Sequence, residues 1–144
     1  MSPMHAMGRA PAYETLFDQS YERVRRNRVF DKDFFDTFYD KFLPSSPEVA
    51  QKFRNTDMAK QRQMLEKSFY HLLVFYASGD ADDYMQRMVA KHGRHGVNIP
   101  DHLYDLWMDT LIATVKVFDP EYSDDVALAW RLVLAPGLTY MKYR

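Results

Sequence analysis

The feature that most constrains this chain is the recurrence of apolar residues at three- and four-residue steps from Ala12 nearly to its end. That spacing lines up large side chains on one face of a helix, whereas a strand needs steps of two. Tyr13, Leu16, Phe17, Tyr21 and Val24 make the first such face. Phe34, Phe35, Phe38, Tyr39 and Phe42 make the second, with Asp31 the expected N-cap. Pro44-Ser45-Ser46-Pro47 stops that helix, and Pro47-Glu48 opens a short third one. Asp57 is placed to cap a fourth helix, whose stripe runs through Met58, Gln61, Leu65, Phe69, Leu72, Leu73 and Tyr76 to a break at Ser78-Gly79-Asp80. A fifth carries Met85, Met88, Val89 and His92 before Gly93, Gly96 and Pro100 turn the chain. Leu103, Trp107, Leu111, Val115 and Phe118 mark the sixth. Val126, Trp130, Val133, Leu134, Leu138 and Met141 mark the last, with a kink expected at Pro136-Gly137. No strand pattern or internal repeat interrupts the series. The class is all-α, with about seven helices and short connections.

A chain of 144 residues that is 47% hydrophobic suits one core. Residues 1–11 show no period and are expected to form a flexible arm, leaving 12–144 as the domain. The net charge of −1 argues against a nucleic-acid partner. The basic run Arg23 to Arg28 follows Glu14, Asp18 and Glu22 and reads as a solvated helix face. With no cysteine, disulfides, thiolate metal sites, a cysteine nucleophile and thioether-linked haem are excluded. No apolar run is long enough to span a bilayer and no signal-peptide core is evident, so a cytoplasmic location without a membrane partner is expected.

Function is sought where a polar side chain breaks an apolar stripe, because an unpaired buried polar group costs about 1–3 kcal/mol. His92 ends the stripe of Met85, Met88 and Val89. A neutral imidazole can bind iron through one nitrogen and orient itself through the other. On its own, however, the position reads first as a core histidine with both nitrogens satisfied. Gln61 lies between Met58 and Leu65, where its amide could donate to a small ligand or sit at the helix boundary. Tyr39 lies among Phe35, Phe38 and Phe42. Its phenol could donate into an apolar cavity or reach the surface as an ordinary core tyrosine.

Order and spacing join these residues. The segment from Thr37 to Phe53, with Phe38-Tyr39, a proline-containing turn and Phe53, resembles the stretch of bacterial globins from the distal tyrosine to the haem-packing phenylalanine. Asn55 to Gln61 is similar to the distal-helix entry of truncated haemoglobins. Ala90 to Val97, with its histidine four residues before a Gly-apolar pair, resembles the proximal segment of flavohaemoglobins and selects His92 over His95. Ala129-Trp130 is similar to the Ala-Trp of flavohaemoglobin globin domains. The paired glycines of truncated globins are absent.

The resemblance implies a three-over-three helical sandwich around non-covalently bound haem b. His92 is then the iron ligand, and Tyr39 and Gln61 face a diatomic gas (O2, NO or CO). Phe53, Met64, Leu65, Val89, Lys91, Val97 and Trp107 are implied to contact the cofactor. His5, His71 and His102 are given no role. Where flavohaemoglobins carry a proximal tyrosine, the straight match gives Leu103 with Tyr104 adjacent. The glutamate partner of that tyrosine has no counterpart before Arg144. The implied function is reversible gas binding by a sensor or oxygen carrier. Nitric oxide dioxygenation with a separate electron-donating reductase is a second reading, and a haem-free interaction module is a third. A homodimer is compatible with all three.

Overall fold

A computed structural model describes residues 12–92 and 99–143. The side chain of His92, all of Val97 and His95, and the arm expected over 1–11 lie outside the described residues. The described helices are α1 (Tyr13–Arg26), α2 (Phe34–Phe42), α3 (Pro47–Lys52), α4 (Met58–Ser78), α5 (Asp83–His92), α6 (Asp101–Phe118) and α7 (Asp124–Lys142). A 3-10 turn, Leu43–Ser45, links α2 to α3. None of the described helices is long and apolar enough to cross a membrane.

The helix starts follow capping chemistry. Ser46, Asp57 and Ser123 each accept hydrogen bonds from backbone N–H groups of the first turn they precede. Asp82 does the same for α5, taking the Met85 N–H at 2.9 Å. The cap of α2 is Asp33, which accepts from the Asp36 N–H at 2.9 Å, rather than the expected Asp31. Residues Val29 and Lys32 pair as a two-residue hairpin that places Phe30 and Asp31 at φ 51° and 63°. The helix begins only once that turn is complete. At the other end of α4, Gly79 takes the left-handed conformation (φ 75°) and returns its N–H to the Phe75 carbonyl.

Two layers of three helices result. α1, α4 and α5 pack across α2, α6 and α7, with α1, α4 and α5 all lying on α7 and α2 bridging to α4. Trp130, Phe17, Phe34, Phe38, Phe69 and Phe118 fill the centre and are fully buried. α7 runs unbroken through Pro136, which has no N–H to give within the continuous helix. Its neighbour Gly137 backs directly onto Leu72 of α4, and a Cβ there would run into that leucine.

One polar cluster lies inside this core. The Trp130 indole N–H donates to Ser20 Oγ at 2.9 Å, and the Ser20 hydroxyl donates to Asp119 Oδ2 at 2.6 Å. Arg23 closes on the same carboxylate through Nε at 2.6 Å. Arg23 therefore departs from the solvated face expected of its run: it turns inward to neutralise the buried Asp119.

Candidate functional site

The site is built where α2 faces the first turns of α4. Arg62 fixes the register of the two helices, pairing with Asp33 and with Asp36 (2.8 Å) at the start of α2. The preceding residue, Gln61, then points inward, one turn past the Asp57 cap. Its Nε2 donates to the Tyr39 hydroxyl at 3.2 Å. Tyr39 is buried, with 7% of its surface exposed. Two residues singled out separately in the sequence thus form a single unit.

The electrostatics of that unit are one-sided. Burial pushes the Tyr39 phenol up to about 12, while the Gln61 hydrogen bond acts weakly in the other direction. The phenol is therefore neutral throughout the physiological range and keeps its hydrogen. Because Gln61 donates to the phenol oxygen, that hydrogen must be given elsewhere, and it finds no acceptor among the described residues. A buried donor without a partner is costly unless the site receives one.

Aromatic walls surround the pair. Phe53, at the end of α3, sets its ring 6.1 Å from both Tyr39 and Phe42. Trp107 of α6 meets Phe38 edge-on at 5.9 Å and reaches Phe69 at 6.4 Å. Leu65, one turn beyond Gln61, is buried in the same core. Val89 is buried on α5, whereas Met64 and Lys91 are exposed. His92 is the last residue of α5. Tyr39, Gln61 and Phe53 are thereby brought together, with Leu65 and Trp107 in the same aromatic-lined core.

Sequence reasoning missed what holds α5 in place. His71 Nδ1 lies 2.7 Å from Asp82 Oδ2, and its ring stacks on Tyr84 at 4.1 Å. The Tyr84 hydroxyl donates to the Met64 carbonyl at 3.4 Å. Burial acts to raise the Asp82 carboxyl, but the Met85 N–H and His71 outweigh it and hold the carboxyl below its ordinary value. α4 is thus clasped to the start of the helix that ends at His92. The signal available was Asp82, a capping residue type just ahead of an apolar stripe. His102, also given no role, lies 2.7 Å from Glu48 and links α6 to α3.

Helix order, the two three-helix layers and a buried Tyr39–Gln61 donor pair together define a class of protein, and the chain belongs to the globin family. It is similar to protein PA3967 of Pseudomonas aeruginosa, whose crystal structure is described as structurally highly homologous to a human hemoglobin. The two chains are 35% identical and superpose with a TM-score of 0.80, over 90% of this chain and 95% of that one. No family model and no curated protein matches the chain.

Proposed function

We propose that the chain binds haem b non-covalently through His92 and holds a diatomic gas (O2, NO or CO) beside Tyr39 and Gln61, as a gas sensor or oxygen binder. The observation that carries this reading is the Gln61-to-Tyr39 hydrogen bond, which leaves a neutral, buried phenol with a hydrogen to give. The chemistry of this donor set suits a gas that acquires partial negative charge on binding. Haem would supply a ferrous iron able to bind such a gas. His92 would hold the iron, and Phe53 would press on the porphyrin beside Tyr39. Tyr39 and Gln61 would both donate to the bound gas. Leu65, Val89, Val97 and Trp107 would exclude water, with Met64 and Lys91 at the rim. Lys91, being exposed, suits a propionate.

Absorbance spectra of the hemin-loaded protein in its ferric, ferrous and CO-bound forms test the reading. His92→Ala should lose haem or the normal CO spectrum, and His95→Ala should keep both. A protein that stays colourless with hemin, or one that depends on His95 instead, overturns it.

A further inference from the structure

Tyr39 and Gln61 stand on helices that are held mainly by other partners. α2 lies chiefly on α6, and α4 chiefly on α7, so the two meet over a thinner contact than either makes with those neighbours. Among the described residues, the polar bridges across it are the Gln61-to-Tyr39 bond and the ion pairs of Arg62 with Asp33 and Asp36. The first measures 3.2 Å, at the long end of the range for an N–H donor and an oxygen. A slight separation of the helices breaks it.

Arg62 is placed to prevent that separation. It follows Gln61 directly, so both bridges leave the same turn of α4, and Asp36 lies one turn before Tyr39 on α2. The planar guanidinium reaches both carboxylates at once and lies over the Phe35 ring, 5.8 Å from its centre. Glu22, Arg25, Arg26 and Glu66 line the same surface depression, but no hydrogen bond or ion pair joins them to Arg62. Neither helix needs Arg62 in order to start. Asp33 caps α2 through the Asp36 N–H at 2.9 Å, and Asp57 caps α4. What Arg62 fixes is the distance between the two helices.

We propose that Arg62 is the positioning residue of the Tyr39–Gln61 pair. By clamping the start of α4 to the start of α2, it keeps Gln61 donating to the Tyr39 oxygen and leaves the phenol hydrogen for a ligand. With the clamp loosened, the Gln61 amide is free to turn over and present its oxygen, which accepts that hydrogen and withdraws it from the ligand. A charge cluster at the surface thus sets the donor inside. The effect on gas retention rests on the haem reading above, whereas the coupling of Arg62 to Tyr39 does not.

The Cζ NMR resonance of Tyr39, in the full chain carrying isotopically labelled tyrosine, reports the hydrogen bonding of the phenol with no need for haem, and Tyr39→Phe assigns it. Arg62→Gln should shift this resonance. Arg62→Lys should restore it in part, since an ammonium meets one carboxylate but not both. Asp36→Asn keeps the N–H that Asp33 accepts, should shift the resonance in the same direction, and carries the test if Arg62→Gln fails to fold. With Gln61→Leu already in place, Arg62→Gln should add no further shift. In the hemin-loaded protein Arg62→Gln should raise the O2 dissociation rate by roughly two- to five-fold, again only while Gln61 is present. A Tyr39 resonance unmoved in the folded variants overturns the proposal, as does an equal shift in the Gln61→Leu background. A resonance that moves as expected in a chain that takes up no hemin upholds the coupling and overturns the gas-binding reading instead.

Discussion

Trp130 and Ser20 are 110 positions apart in sequence and joined by a 2.9 Å hydrogen bond that ties α7 to α1 inside the core. Ser20 passes the connection to Asp119, just past the end of α6, and Asn27 adds a bond to the Phe118 carbonyl at 2.8 Å. Three helices far apart in the chain therefore meet at one carboxylate. Burial acts to raise Asp119, but Arg23, Ser20 and the Glu121 N–H overcome it and hold the carboxyl below its ordinary 3.8. A depressed carboxylate stabilises the fold above the unfolded-state value, and that contribution disappears as pH falls through the folded value. Acid titration of the thermal midpoint should show this loss below about pH 4. Asp119→Asn should be less stable at neutral pH by about 1–3 kcal/mol, since Arg23 is left with only Glu121, 3.9 Å away. Its acid limb should be correspondingly flatter. A variant as stable as wild type at neutral pH would show that the cluster contributes nothing net.

The distal pair makes a different kind of prediction, because it concerns ligand rather than fold. Tyr39→Phe removes the phenol hydrogen and leaves the ring against Phe53. In the hemin-loaded protein the O2 dissociation rate should rise by roughly five- to ten-fold, the equivalent of about 1 kcal/mol or more. Gln61→Leu should act in the same direction. The two changes together should fall short of the sum of their effects, because the residues share one hydrogen bond. Stopped-flow measurement checks all three variants, and an unchanged rate in Tyr39→Phe removes it from the mechanism.

Much of this was legible in the sequence because periodicity reports faces. The apolar stripes of Tyr13 to Val24 and of Leu103 to Phe118 identify their helices, and Asp57 and Pro47 mark starts that the structure places at Met58 and Pro47. Tyr39 and Gln61 could be named because each breaks an apolar stripe, and Phe53 because it stands in the order of a known family. Long-range charge pairing was not legible. Arg23 and Arg25 sit in the same basic run, yet only Arg23 is turned inward, because the carboxylate it meets is 96 positions away. His71 is given no role by the sequence, and its work lies with Asp82, just ahead of the next helix. Asp31 was read as a cap because capping chemistry suits it, but the Val29–Lys32 hairpin takes that residue first.

The α4–α5 clasp should be measurable apart from the rest of the fold. Asp82→Ala removes both the cap on the Met85 N–H and the partner of His71. Loss of a helix cap typically costs about 1 kcal/mol. The expected outcome is a fall of that order in global stability, with a larger loss of amide-exchange protection confined to residues 83–92. If protection in α5 matched that of the wild type, Asp82 would not be what anchors the helix.

Close approach of α7 to α4 depends on Gly137, and here the prediction can be checked by compensation. A Cβ at that position would run into Leu72 Cδ2, with Met85 Cε also close at 3.6 Å. Leu72 is itself buried and held by its neighbours, so it cannot move away freely. Gly137→Ala should therefore destabilise by about 1–3 kcal/mol, as overpacking does in tight cores, despite alanine's better helix propensity. Leu72→Ala alone should also destabilise, by leaving a cavity. Combined, the two changes should cost less than their sum, because the added methyl group enters the space the leucine vacates. Urea unfolding of the two single variants and the double variant measures the coupling. Strict additivity would mean that the two helices separate to admit the methyl group and that the glycine is not what sets their spacing.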